Sequence, residues 1–413
     1  MQHNTKSYTK KPKLFIIADA GVDTGFAQVT HNLVEHLHLR YEVHIMGINY
    51  YGDPHPIQSK AKLYNPSARA QGDYYGTARV KELLRSIEPD IVFLINDPWV
   101  AASYVPLLKG YKGAKVLYTP IDGTNIKNDF ITPLNDFTHI VGYTQFGVTE
   151  LLKGGLTVET SVIPHGVNTK LYKPIDMKEA REKNGFPMDW FIVNITDRNQ
   201  IRKRIDLGFY YFSEWVKRTG KTADQVKLHY HGAMEDEGWD LFQLADALGI
   251  HDYFIITAPN ITAANGLPLE LMPYVYAPAN VGLSTTMGEG WGLTTHERMA
   301  MRVPMIVPKY SALGEWANGG VHYTEISNIP YFNTKALNTK GGIATLESTV
   351  DALETMYVDA AYRQHVAEAG YKLATSAKFN WRNIAQQFDL VFRTAIKKEQ
   401  DNAIRDSEAD RES

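Results

Sequence analysis

The chain has 413 residues, 44% hydrophobic and 22% charged, with a net charge of −3 and no cysteine. That length accommodates two domains with their own cores, and the absence of cysteine excludes a disulfide framework, a zinc ribbon and a thiol nucleophile. A polar, lysine-bearing first stretch and no apolar run of membrane length fit a cytoplasmic protein, at most peripheral to a membrane, and the charge argues against a wholesale nucleic-acid coat.

Apolar runs alternate with amphipathic segments, the pattern of parallel βαβ units covered by helices. In chain order the first series predicts strands at Lys13–Ala18, Glu42–Ile48, Asp90–Ile95, Ala114–Pro120, His139–Tyr143 and Ser161–Ile163. Its first helix spans Phe26–Leu39, with Phe26, Val29, Leu33 and Leu37 on one stripe. A break at Pro164-His165-Gly166-Val167-Asn168 places the domain junction near residue 170. The second series predicts strands near Trp190–Ile195, Val226–Tyr230, Tyr253–Thr257, Asn280–Thr286 and Val303–Val307, with a helix at Ile205–Lys217. Residues 381–400 read as a long last helix, and 401–413 as a disordered acidic tail. The expected organisation is a flexible start over 1–12, one Rossmann-like unit over 13–170 and another over 171–380.

Glu289 and Glu297 bracket the glycine-rich stretch Gly288-Glu289-Gly290-Trp291-Gly292-Leu293, after a predicted strand and at the start of a predicted helix. Free amides and the positive dipole end at a helix start favour an anion, and glycines admit close backbone approach. Two acids cannot themselves hold phosphate. They suit hydroxyl groups, one set on a sugar and one on a ribose, which points to a nucleotide sugar. In doubly wound sheets ligands sit beyond the carboxyl ends of strands, and those positions hold Asp19, Asp97, Asp122, Asp197, His231, Asn260 and Glu289. Arg198 and Lys203 offer matching cations for a diphosphate.

These motifs together resemble the family 4 retaining glycosyltransferases: Gly288 to Leu293 followed by Glu297, the spaced Arg198 and Lys203, Val162 to Asn168, an early loop at Asp23-Thr24-Gly25, and a last helix opened by Asn380-Trp381. The resemblance runs from Leu14 to about Ile396. It implies the α/β arrangement called GT-B, two Rossmann-like domains facing across a cleft, with the last helix crossing back onto the first. It also implies a nucleotide-diphosphate sugar, UDP- or GDP-linked, bound mainly by the second domain. Carried over by position, Glu297 bonds the ribose, Glu289 lies near the sugar, and the amides of Gly290, Trp291, Gly292 and Leu293 hold the diphosphate with Arg198 and Lys203. Gly25 and Asn260 complete the donor side, and Trp291 covers the donor unless it packs in the core. The family's explanation of retention is same-face attack without a protein nucleophile. Where family members often carry a histidine after the fourth predicted strand, this chain has Asp122, the candidate sugar contact, with Asp19 and Asp97 as acceptor-side candidates unless they cap helices.

No Asp-x-Asp pair occurs, so neither a metal nor a separate cofactor is expected. Glu235-Asp236-Glu237 reads as a solvated loop and His165 as a structural histidine. Segments 55–85 and 104–118 interleave Lys and Arg with Tyr, a pattern that serves polyanions or anionic lipid. A saccharide or lipid-linked sugar is the first expected acceptor, a hydroxylated base in DNA the alternative. A non-catalytic nucleotide-sugar-binding protein on the same scaffold is the reading from another class.

Overall fold

The computed structural model describes residues 10–21, 24–66, 72–234, 236–262, 266–329, 331–332 and 339–412. Asp23 and Glu235, named above, and residues 67–71 of the 55–85 segment lie outside them. The first half builds β1 (Lys13–Asp19), α1 (Gly25–Leu37), β2 (Glu42–Ile48), β3 (Lys62–Tyr64), α2 (Val80–Ile87), β4 (Ile91–Ile95), α3 (Pro98–Leu108), β5 (Ala114–Thr119), α4 (Asn128–Ile131), β6 (His139–Gly142), α5 (Gln145–Lys153) and β7 (Thr160–Val162). After α6 (Met177–Asn184) come β8 (Phe191–Thr196), α7 (Ile205–Thr219), β9 (Val226–His231), α8 (Leu241–Leu248), β10 (Phe254–Ile256), α9 (Met272–Tyr276), β11 (Val281–Leu283), α10 (Leu293–Ala300), β12 (Met305–Pro308), α11 (Ser311–Trp316) and β13 (His322–Thr324). A hairpin of β14 (Tyr331–Phe332) and β15 (Lys340–Gly341) precedes α12 (Leu346–Val358), α13 (Ala360–Ala374) and α14 (Trp381–Glu412).

The strands form two all-parallel sheets in the orders β3-β2-β1-β4-β5-β6-β7 and β10-β9-β8-β11-β12-β13. Each reverses direction of growth beside its first strand, β1 or β8, and the crevice at such a reversal is where open α/β sheets bind ligands. Both sheets are covered on two faces, so their central strands are buried along their length; every residue of β4 and of β8 is buried, including Asn194 and Thr196 of β8. On α7 a stripe of Ile205, Phe209, Phe212 and Val216 is buried. The edge strands β3 and β13, three residues each and carrying Lys62 and His322, lacked the apolar run that marks a strand in the sequence.

The last helix returns to the first half. Phe388 and Phe392 pack on Phe93, Phe388 also meets Tyr118 and Phe392 meets Tyr41, while Asp389 accepts from the Tyr41 hydroxyl at 2.8 Å. Burying aromatic rings of this size is worth about 1.5–3 kcal/mol each, enough to hold the crossing in place. The expectation of a disordered tail over 401–413 is corrected: the helix continues to Glu412, because no Gly or Pro interrupts that stretch and its Ala, Glu and Arg residues are compatible with a helix. Among the described residues no helix is long and apolar enough to cross a membrane.

Candidate functional site

The site begins with the turn after β11. Glu289 is buried, its amide donates to the Ser311 hydroxyl at 2.9 Å, and its carboxylate receives two cations. Lys203 Nζ lies 2.6 Å from Glu289 Oε1 and 2.7 Å from Asp197 Oδ1, so one ammonium is shared. Arg202 Nη1 lies 3.2 Å from Glu289 Oε2, and Arg202 Nε lies 3.2 Å from Asp122 Oδ2. Asp122 stands after β5 and Glu289 after β11, so this guanidinium spans the cleft between the two sheets. Burial by itself raises a carboxyl, but Lys203 and Arg202 outweigh it and hold Glu289 well below its ordinary range.

The backbone explains why these side chains converge. Ile201 to Lys203 form a 3₁₀ turn that ends on Arg204 in the left-handed region (φ 49), where α7 begins. The Arg202 carbonyl accepts from the Met287 amide at 2.9 Å, fastening this turn to the one carrying Glu289. Arg204 itself is drawn aside to Asp206 at 2.8 Å and over the Tyr331 ring.

The glycines also do a job that the sequence did not suggest. A Cβ on Gly288 would lie 1.8 Å from the Asp122 carbonyl oxygen, and one on Gly290 would lie 2.3 Å from Pro120 Cβ. Glycine at these positions therefore lets the two halves approach each other. Gly292 has φ +90 and precedes α10, so there the need is conformational. The first amides of α10 have no intrahelical acceptor. Gly25 and Leu293 oppose one another, since a Cβ on Gly25 would sit 3.2 Å from Leu293 Cδ1.

Glu297 lies in the second turn of α10 rather than at its start, and Tyr276 donates to it at 2.7 Å. Burial dominates and pushes it up to about 7, although Tyr276 and Tyr172 pull the other way. On the opposite wall, burial raises Asp97 to about 7, and Asp122 and Asp19 add to the shift while Arg202 opposes it. Burial also raises Asp122, which Arg202 partly offsets. Asp97 occupies the cap position of α3 without making a cap hydrogen bond, so the capping reading fails for it. Asp19 accepts from the Thr24 hydroxyl at 2.7 Å, and Thr24 in turn caps α1.

Three expected site residues are placed otherwise. Arg198 does not join Lys203 at Glu289: it grips Asp236 with two contacts of 3.0 Å and is largely exposed, because the loop turns between Arg198 and Ile201 and Asn199 ties it to the carbonyls of Met234 and Trp239. Trp291 does not cover a ligand. Its ring is buried, stacked on Trp316 at 4.7 Å and 9°, and surrounded by His165, His296 and Phe379, so only its backbone faces the turn. Asn260 is exposed on the turn after β10 and is not part of the ionic network. His165 is structural as read, bonded to the Tyr118 hydroxyl at 2.7 Å and held neutral by burial. Arg202, Tyr276 and Asp236 were not assigned roles from sequence. Arg202 had a signal, as one of three consecutive cations; Tyr276 had none.

The basic segments are engaged internally in part, while Lys81, Arg85, Lys109 and Lys112 are exposed. Lys60 pairs with Glu35, Lys62 with Glu42 at 2.9 Å, Arg79 with Asn65 and Glu82, and Lys115 with Asp136 at 2.7 Å. Tyr104 and Tyr118 are core residues. An open cavity of about 540 Å³ lies on the outer side of the Arg198–Lys203 loop, lined by Asn199, Ile201, Arg204, Trp239 and Tyr331 rather than by Glu289. Among the described residues no group of three or more His, Asp or Glu is arranged to hold a metal.

No family model matches the chain. It is 26% identical over 156 residues to the D-inositol 3-phosphate glycosyltransferase of Acidothermus cellulolyticus, covering 37% of this chain and 33% of that protein. The corresponding protein of Geodermatophilus obscurus is 26% identical over 166 residues, 39% and 35% of the two chains. The chain thus spans about a third of the length of these curated relatives. Among solved structures it superposes on sucrose-phosphate synthase from Thermosynechococcus elongatus with a TM-score of 0.74 at 16% identity, covering 94% of this chain and 100% of that one. Anabaena HepE, in complex with UDP and glucose, superposes at 0.70 and 15% identity over 93% and 100%. The fold is GT-B, and the chain resembles glycosyltransferases of the family 4 type in both its motifs and its architecture.

Proposed function

We propose that the protein is a retaining glycosyltransferase that moves a sugar from a UDP- or GDP-sugar to a hydroxyl of a saccharide or lipid-linked sugar. The observation that carries this reading is Glu289, kept ionised between Lys203 and Arg202 beside the free amides of α10, at the crevice beside the switch point of the second sheet. A diphosphate seated on the amides of Gly290 to Leu293 meets a helix dipole and Lys203, which stabilise charge as the nucleotide leaves. Glu289 accepts from sugar hydroxyls and Glu297 from the ribose. The acceptor hydroxyl enters from the side of Asp122, attacks the anomeric carbon on the face the nucleotide leaves, and passes its proton toward a phosphate oxygen. Bonds balance: one glycosidic bond forms, the bond to the diphosphate breaks, and the proton ends on the departing nucleotide. The likeness to HepE, solved with UDP and glucose, supports a nucleotide-sugar donor.

The carboxylates facing the basic residues of the first half weigh for a saccharide-type acceptor over DNA. Thermal unfolding against a panel of UDP- and GDP-sugars tests the donor, since a ligand of the folded state raises stability. Positive donors are then incubated with oligosaccharides and with hydroxymethylated DNA. Stabilisation and transfer to a saccharide are expected; transfer to DNA alone overturns the acceptor, and binding without turnover for any acceptor favours the non-catalytic reading.

A further inference from the structure

The three cations of the 198–203 loop are divided in space, and only one of them reaches the first half. Arg198 is committed outward to Asp236, and Lys203 inward to Asp197 and Glu289. Arg202 is fixed at its backbone by the Met287 amide and at its side chain by the Gly288 carbonyl at 2.6 Å, and from there it extends to Asp122. We propose that Arg202 is a positioning residue that makes acceptor access depend on donor occupancy: without donor it covers Asp122, and a bound diphosphate draws it away and exposes Asp122 to the acceptor. This rests on the donor reading given above.

The charge balance explains why the bridge should break. Asp122, Arg202, Glu289, Lys203 and Asp197 form one chain of contacts between 2.6 and 3.2 Å, three acids against two bases. A diphosphate placed at the start of α10 adds negative charge next to the two bases and nothing to offset it. A guanidinium carries five donors in a planar fork and binds phosphate bidentately, so it is the member with most to gain by turning. Lys203 is held by two carboxylates of the second half. The Arg202 bond to Asp122 is longer than the lysine contacts and is the one that crosses the cleft. Closure does not depend on that bond alone: Glu315 of α11 accepts from the Gln145 and Phe146 amides of α5 at 2.9 and 2.7 Å, and Thr124 pairs with Lys340 through two backbone hydrogen bonds of 3.0 and 2.8 Å. Arg202 is therefore free to change partner while the halves stay together.

The test is a double-mutant cycle of Arg202→Ala and Asp122→Asn, read as melting temperature in the full-length chain, first without ligand and then with saturating UDP or GDP. Without nucleotide the two substitutions should be non-additive by about 2 °C or more, because each removes the same bond. With nucleotide the non-additivity should vanish, a change that a purely structural contact does not show. Arg202→Lys should keep part of the coupling without nucleotide, since a single ammonium cannot span both carboxylates in the same way. Additive effects without nucleotide overturn the bridge, and coupling that survives saturation overturns the release. If neither UDP nor GDP shifts the melting temperature of the unsubstituted protein, the donor reading falls and takes the release with it, whatever the cycle shows without ligand.

Discussion

The two walls of the cleft are built from the same kind of sheet and carry opposite solutions for a carboxylate. On the second half Glu289 has two cations within 3.2 Å and stays ionised, whereas on the first half Asp97 has none so close and is pushed up to about 7 by burial. Even within the second half the contrast repeats. Glu297, with seven residues between it and Glu289, faces Tyr276 instead of a cation and is pushed up to about 7. A carboxylate at the end of a parallel strand is thus not a role in itself. The cations that the loops deliver, weighed against burial, decide the outcome: two of them keep Glu289 ionised, whereas Asp122, with Arg202 alone at 3.2 Å, is still raised.

The sharpest way to break this comparison is Lys203→Met, which takes the shared ammonium from Glu289 and Asp197. Transfer should fall by about 10²–10³ in kcat/KM, the usual cost of losing one preorganised charge at a leaving group. Steady-state release of nucleotide measures it, and a loss below tenfold would erase the distinction between the two walls. The next effect concerns Glu297. Its carboxylate, the form that accepts from ribose hydroxyls in the proposed function, is populated as pH rises through about 7. Nucleotide binding measured by calorimetry should therefore weaken by up to about tenfold per pH unit below that point, and Glu297→Gln should bind more weakly at pH 8 but without this slope.

Asp97 allows a smaller test, of stability. Its folded-state pKa lies above the ordinary aspartate value, so its contribution to stability is complete at acid pH and is lost as pH rises through about 7. Asp97→Asn should accordingly stabilise the protein by something on the order of 1–2 kcal/mol at pH 8 and by less at pH 5 in denaturant unfolding. An equal gain at both pH values would mean that the carboxyl is solvated after all. The smallest effect is expected at Lys62→Met, which removes an exposed pair with Glu42. The melting temperature should hardly move, with transfer unaltered; a loss of transfer would return the 55–85 segment to the acceptor surface.

Much of the architecture was legible along the chain because burial on both faces leaves an unbroken apolar strand and the helices between carry one stripe. Ile91 to Ile95 is of this kind, and Phe191 to Ile195 is broken only by Asn194. The short edge strands, and the helical continuation through Glu412, were not legible, because pairing at an edge needs backbone hydrogen bonds rather than apolar side chains and a polar helix has no stripe. Of the site, Glu289, Lys203, Asp122 and the Gly290 to Leu293 turn were brought together as expected. Arg198 and Trp291 were not, because the 3₁₀ turn at Ile201 and the aromatic cluster around Trp316 set directions that residue spacing does not contain.

From the sequence alone came the alternation of strand and helix, the two-part plan and the acid-bearing glycine turn, since each rests on neighbours within a few residues. The tertiary structure alone decided that Arg202 rather than Arg198 meets Glu289, that Gly288 and Gly290 make room for Asp122 and Pro120, and that burial and neighbours push Glu289 and Glu297 in opposite directions. Those outcomes depend on distances of about 3 Å between segments far apart in the chain and on how much water remains around them, and neither quantity is ordered along the sequence.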